Sequence, residues 1–442
     1  MEFFLSFLLL VLNLIDYHYN INSILFLVVS AALVGGLFAV SIKKTGNFLA
    51  SAIVLLCATW QISWINILGA PTEQLQLPWF YIIGVLIVGY ALVRFNDIRE
   101  NNNNAAILLT FIVMLVISVF PVLNSPSKGE GMKEFIMIAF FLALTFIAFL
   151  LSDDFGEKGR EAIVDAYIWA IFLTSVFIIV QTAAYHIFGV VLFKYEIGNY
   201  MGHTQTGAML LMEDTSCATI AMGCAVFYIL ERLDLKRMKI YLPALICVVS
   251  AMAMTTRRTS VISLIIVLAL YFFFHYKGIM KRSLVMILYV ALVVIMVAYM
   301  TVVRPVDNLS QYLYENERFA NYLRALELAI ESPFGIGYDN VNLATQMTDG
   351  VIPHNTVLRW LAMGGFWFII PMIILLGYFT VTAAKKKLSS EFWILLYSLF
   401  ASNFIPDLYN ARFFVIPCMT VLLAAGSNGI RKKERGVKLS GN

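Results

Sequence analysis

His354, with Pro353 before it and Asn355 after it, is the histidine best placed to do chemistry. It stands where an apolar helix opens, so unpaired N–H groups and the positive end of the helix dipole lie beside it. That setting disfavours an imidazolium, keeps the neutral ring available as a base, and attracts anions. A ring at headgroup level with no chemical role is the plain alternative. Arg257 and Arg258 form a second candidate, between the apolar stretches Ile240–Met254 and Val261–Phe274. Arginine beside hydrocarbon is costly and usually faces a polar cavity or an anionic partner, although it can also snorkel to the headgroups. Of the two, Arg258 is favoured. Arg318 and Arg324 are the third candidate, because planar guanidinium forks match the oxygens of a diphosphate. For Arg324, pairing with Glu327 at i,i+3 on a solvated helix face is the competing reading. Arg304, Arg359 and Arg412 are weaker candidates.

Other chemistries lack their residues. His18, His186 and His275 sit at span ends, and His203 near Glu213 and Asp214 does not have metal-ligand spacing. There is no Walker loop, no GxGxxG and no serine-hydrolase elbow, so neither a metal nor a cofactor is expected.

The elements that must position these groups are membrane helices. Apolar and aromatic residues make up 61% of the 442 residues and charged residues 13%, where a soluble domain has about a quarter charged. Runs such as Ile24–Ile42, Phe135–Leu151, Ala162–Tyr185, Val261–Phe274 and Phe366–Ala383 approach the ~20 residues that cross a bilayer. They are unbroken instead of alternating, so they are helices and not barrel strands. The fold class expected is an all-α integral membrane protein, a polytopic bundle of about 12–14 transmembrane helices. Placing alternate loops on each side gathers 21 of the 31 basic residues on one face, which is then cytoplasmic and holds both termini. The net charge of +4 follows from that bias and does not point to nucleic acid. The five cysteines have no CxxC spacing, and Phe3–Ile15, flanked by Glu2, reads as an uncleaved first span.

Along the chain the expected divisions are N-terminal transmembrane helices at 1–188, central helices at 189–303 with an outer segment at 189–214, an extracytoplasmic loop at 304–353, C-terminal helices at 354–427, and a basic cytoplasmic tail at 428–442. A loop near fifty residues is too long for a simple link. It contains an amphipathic helix, with Phe319, Tyr322, Leu326 and Ile330 at helical spacing, Asn316 as its cap and Ser332-Pro333 as its end. That helix is expected on the membrane surface or against the bundle, apolar side down. The glycines of Phe334-Gly335-Ile336-Gly337-Tyr338 allow a tight turn, and Asp339–Ile352 reads as a lid or acceptor-facing loop. No internal repeat is present, which counts against a transporter.

Three patches resemble the O-antigen polymerase and ligase superfamily of bacterial membrane glycosyltransferases. Thr255-Thr256-Arg257-Arg258-Thr259 is similar to its Ser-Arg patch, with Arg257 replacing the usual serine. Arg318, Tyr322, Ala325-Leu326 and Pro333-Phe334-Gly335-Ile336-Gly337 resemble its Arg-x3-Trp-x2-Ala-Leu…Pro-Leu-x-Gly-x-Gly pattern, with Tyr322 for tryptophan. His354-Asn355, nine residues, then Gly365 resembles its His-Asn-x9-Gly helix start. Phe368 stands where ligases often have a further glycine, and Arg324, ten residues, then Gly335 resembles a motif of polymerase outer loops. The segment 189–214 lacks the second copy of that motif.

The resemblance implies a multi-pass protein of the bacterial cytoplasmic membrane with its active site facing the periplasm or cell exterior. Its donor would be an undecaprenyl-diphosphate-linked glycan, with a glycan acceptor, membrane lipid and a chain-length regulator as partners. Arg258 and Arg318, with Arg257, Arg324 and Asn355, would bind the diphosphate and substrate, and His354 would be the catalytic base. Polymerisation of O-antigen, capsule or exopolysaccharide repeat units is the favoured expectation. Ligation of the glycan to lipid A-core or another acceptor, as in lipopolysaccharide assembly, is the alternative. A transporter or flippase of lipid-linked glycans is the rival from another class.

Overall fold

The computed structural model describes residues 1–19, 24–60, 79–94, 102–150, 156–192, 195–200, 203–208, 215–233, 237–255, 257–275, 316–348, 350–385 and 389–405, with isolated helical positions between 283 and 298. In chain order the helices are α1 (Glu2–Tyr19), α2 (Ile24–Thr45), α3 (Phe48–Thr59), α4 (Trp79–Val93), α5 (Asn102–Ile117), α6 (Val119–Asn124), α7 (Lys128–Leu150) and α8 (Gly156–Phe188). A hairpin of β1 (Tyr195–Tyr200) and β2 (His203–Ala208) follows. Then come α9 (Thr215–Arg232), α10 (Met238–Met254), α11 (Arg258–His275), α12 (Asn316–Glu331), α13 (Asn340–Gln346), α14 (Thr356–Lys385), α15 (Ser389–Ala401) and a 3-10 turn, Ser402–Phe404.

Among the described residues, four helical stretches, Ile24–Thr45, Lys128–Ala148, Lys158–Phe188 and Thr356–Lys385, are long and apolar enough to cross a membrane, and five shorter apolar helices accompany them. The chain is an all-α polytopic membrane protein, as its apolar runs predict. The hairpin in the segment 189–214 is the addition: its antiparallel register runs from Tyr195 opposite Ala208 to Tyr200 opposite His203. The tail 428–442, Arg304, Arg412 and the first part of the long loop lie outside the described residues.

The chain divides into two compact units, Met1–Leu86 with Phe155–Val306, and Ile87–Asp154 with Asp307–Asn442. In the first, α8 packs against α1, α2, α3, α9 and α10. Helix α3 is buried on every side from Leu49 to Thr59, the mark of an interior helix, and its Asn47 cap accepts from the Ala50 N–H at 2.9 Å. Charged groups collect at one end: Lys44 pairs with Glu2 at 2.9 Å, and Arg232 with Glu161 and Asp165 at 3.6 and 3.5 Å. Lys44 and Arg237 are close enough to act on Asp165 electrostatically. Lys44, Arg232 and Arg237 are among the basic residues that the charge bias assigns to one side.

In the second unit, Met114 of α5, Val122 of α6, Ile138 of α7, Ala325 and Leu328 of α12, Leu343 of α13 and Trp360 of α14 share one apolar core. Helix α12 buries Asn321, Ala325, Leu328 and Ala329, whereas Phe319, Leu326 and Ile330 of the apolar stripe are exposed, so of the two placements expected for that stripe it does not take the one against the bundle. Small residues let helices approach closely, and beside lipid the large apolar side chains need no protein cover.

Candidate functional site

The start of α14 is built by three contacts. Asn355 caps it, its side-chain oxygen accepting from the Leu358 N–H at 3.1 Å, the geometry that satisfies an orphan donor of the first turn. Its amide nitrogen reaches Asn403 Oδ1 at 3.4 Å, and the Thr356 hydroxyl donates to the Ile405 carbonyl at 2.6 Å. Asn355, expected to bind substrate, therefore has a capping role. His354 precedes the cap and is half-buried.

Helix α12 holds the chain that leads to His354. The Tyr322 hydroxyl donates to the His354 carbonyl at 3.2 Å. Asn321, buried, uses both ends of its amide: it donates to the Val351 carbonyl at 3.2 Å and accepts from the Thr348 N–H at 3.0 Å. Arg324 Nε donates to the Gln346 carbonyl at 3.3 Å, while its Nη1 sits 3.1 Å from both Glu327 and Glu331. Those two carboxylates push the Arg324 guanidinium above its ordinary value, so it stays charged. Its partners are carboxylates and a carbonyl, the competing reading of the sequence. Arg318 lies in the first turn of α12; its side chain is outside the described residues.

The stretch Asp339–Ile352, expected as a lid or acceptor-facing loop, forms a helix in its first half. Asp339 caps α13 by accepting from the Val341 and Asn342 N–H groups at 3.0 Å each. Leu343 and Met347 then enter the core, because two apolar anchors outweigh the stretch's otherwise polar composition.

A break in α14 ties this region together. Gly365 has φ 73° and ψ 179°, so the helix is interrupted there. The Ala362 and Met363 carbonyls, which lose helical partners, accept from the Ile336 and Gly337 N–H groups at 3.0 and 3.2 Å. In return the Phe366 N–H donates to the Pro333 carbonyl at 3.0 Å. Backbone groups freed at membrane depth need such partners. Glycine is required by position: a Cβ on Gly335 would lie 2.0 Å from the Met363 carbonyl oxygen, and one on Gly365 2.2 Å from the Pro333 oxygen.

Arg359, ranked low by sequence, is the group that spacing missed. Only 1% exposed, it pairs with Glu134 of α7 at 3.3 Å, donates to Asn340 Oδ1 at 2.8 Å and lies 5.3 Å from the Trp360 ring centroid. A charge buried this deeply is costly unless it is paired and hydrogen-bonded. Beside it, burial and the Glu134 charge hold the Tyr338 phenol well above its ordinary range, so it remains an O–H. Glu134 lies 225 positions from Arg359, beyond any motif; only the intrinsic cost of an arginine within an apolar run pointed to it.

Arg257 and Arg258 belong to the first unit. They join α10 to α11 beside the start of α9: the Thr255 and Thr219 hydroxyls are 3.1 Å apart, and the Ser260 hydroxyl donates to the Ser216 carbonyl at 3.2 Å. Because Arg232 closes α9 at its other end, the arginine turn lies at the end of this unit opposite the Lys44 and Asp165 cluster. Arg257 is half-buried; the Arg258 side chain is outside the described residues.

A polytopic membrane protein with a capped, histidine-led helix and an interrupted span is the class that the fold and these residues define. The family described as O-antigen ligase matches residues 242–373, from within α10 to within α14, and over that stretch the chain is similar to the O-antigen ligase and polymerase superfamily. The candidates from Arg257 to Arg359 lie inside the match, and Arg412 lies beyond it. No curated protein matches the chain.

Proposed function

We propose that this chain polymerises repeat units of a surface polysaccharide from undecaprenyl-diphosphate-linked oligosaccharides. The observation that carries the reading is the construction around His354: a capped helix start, a carbonyl held by Tyr322 and a preceding segment pinned by Asn321. Such fixing suits a group that must meet a reacting atom in one geometry. The His354 ring takes the proton of the attacking sugar hydroxyl. That oxygen bonds to the anomeric carbon of the donor as the carbon–oxygen bond to the diphosphate breaks, and the lipid diphosphate leaves with the electron pair. Arg318 is assigned to the charge that builds there, where fixed cations act most strongly. Arg258 is assigned the same chemistry on its sequence patch alone. Arg324, bonded as described, is left out of this set.

The test is the purified protein in nanodiscs with a synthetic lipid-linked repeat unit, products being resolved by length. A ladder from the parent protein and a loss of about 100-fold or more in His354→Ala are expected; a parental ladder from that variant overturns the reading. Transport alone would move the donor across the bilayer and form no new glycosidic bond. The description of the matched family favours a second reading, ligation. In cells carrying His354→Ala, single repeat units left on the acceptor indicate a polymerase, and accumulated lipid-linked polymer indicates a ligase.

A further inference from the structure

Helix α12 divides its surface three ways. Asn321, Ala325, Leu328 and Ala329 face the core of the second unit, and Arg324, Glu327 and Glu331 form a charged strip. The third face is large and apolar: Phe319, Leu323, Leu326 and Ile330 are 65%, 47%, 41% and 70% exposed. They recur at i, i+4, i+7 and i+11, a single side of a helix. An apolar patch of that kind marks a contact with something other than water.

What covers it is indicated by its continuation. Phe334, exposed just past the end of α12, stacks on Trp367 at 6.1 Å and lies 5.5 Å from Phe120. Trp367 belongs to the span Thr356–Lys385 and Phe120 to the apolar helix Leu108–Asn124; both are exposed, as are Ile370 and Ile374 further along α14. The apolar surface that lipid must cover on the spans thus passes through an aromatic band onto α12.

We propose that α12 is an interfacial helix seated with Phe319, Leu323, Leu326 and Ile330 in the boundary between headgroups and acyl chains, and that this seating sets His354 at the level of the headgroup phosphates. An apolar face with carboxylates turned toward water is the pattern of helices that lie in that plane. Asn321 and Tyr322, on the same helix, transmit its height to the segment 348–354. A lipid-linked diphosphate occupies that plane. The lipid seating stands on geometry alone; its link to His354 rests on the proposed function.

The experiment uses the full chain in nanodiscs, with single Leu326→Cys, Ile330→Cys, Glu327→Cys and Glu331→Cys substitutions carrying an environment-sensitive dye, after subtraction of labelling in the parent. Nitroxide on the upper acyl chain should quench labels at 326 and 330 at least about two-fold more than labels at 327 and 331, and aqueous iodide should do the reverse. Iodide quenching at 330 equal to that at 327 overturns the proposal, as does shielding from both quenchers, which would mean that protein covers the stripe. Leu326→Glu with Ile330→Glu, checked for a parental unfolding midpoint, should lower turnover of the lipid-linked donor about ten-fold. Parental turnover in that variant removes the link to His354 while leaving both the lipid seating and the His354→Ala result standing.

Discussion

The two units solve the same problem, a stack of apolar helices, in different ways. In the first, among the described residues no backbone–backbone hydrogen bond joins one helix to another, and the ionic pairs of Arg232 with Glu161 and Asp165 involve partly exposed groups. In the second, α14 is broken at Gly365 and repaired by the turn 333–337, and an arginine is buried with Glu134 and Asn340. Irregular backbone and buried charge are expensive beside lipid and persist where protein encloses them. The contrast locates specialised construction in the second unit, around His354, and regular packing in the first.

Substitutions can break this contrast or sharpen it. The largest effect is expected from Gly365→Ala, whose Cβ would collide with the Pro333 oxygen at 2.2 Å. It should destabilise by about 3 kcal/mol or more, read as a fall in unfolding temperature and in monodisperse yield. Its counterpart Gly35→Ala in α2 meets nothing within 4 Å and should be neutral or stabilising by about 0.5–1 kcal/mol. Equal losses at both glycines would remove the contrast.

Next come the arginines. Arg359→Leu strands Glu134 in a buried site and should cost about 3–5 kcal/mol, with much of the loss recovered by adding Glu134→Leu. Arg232→Leu, whose partners are 52% and 32% exposed, should cost about 1 kcal/mol or less. Thermal unfolding followed by intrinsic fluorescence ranks them.

Two asparagine caps make a closer comparison. Asn47→Ala and Asn355→Ala each remove a side-chain acceptor from a helix start and should each lose about 1 kcal/mol of stability. Only Asn355→Ala should also slow turnover, by about ten-fold, because the helix start it frees carries His354. The smallest effect belongs to Tyr322→Phe, which deletes one hydrogen bond to the His354 carbonyl. About five-fold in kcat with KM unchanged is expected, and Tyr322→Trp, which restores an N–H donor, should recover part of it.

Hydrophobic runs made the spans legible, and the glycines at 335 and 337 marked a turn whose partner strand of backbone lay unseen in α14. The amphipathic helix was legible in extent, while the choice between the membrane surface and the bundle for its apolar stripe stayed open. Periodicity locates an apolar stripe, yet in a membrane protein both lipid and core accept apolar side chains, so size decides: Ala325 and Ala329 turn in and Phe319 and Ile330 turn out. Asn355 was legible as part of a helix start, while its bond to Leu358 was not. The partnership of Arg359 with Glu134 joins distant parts of the chain and has no local signature.

The interruption at Gly365 bears on how the protein is made. Hydropathy reads Thr356–Lys385 as one uninterrupted span, so the insertion machinery would handle it as one. The turn at 333–337 is synthesised earlier and waits for the carbonyls of Ala362 and Met363. The Ala362 and Met363 carbonyls gain those partners only when that turn docks, so the bonds that complete the interrupted helix join segments made at different times.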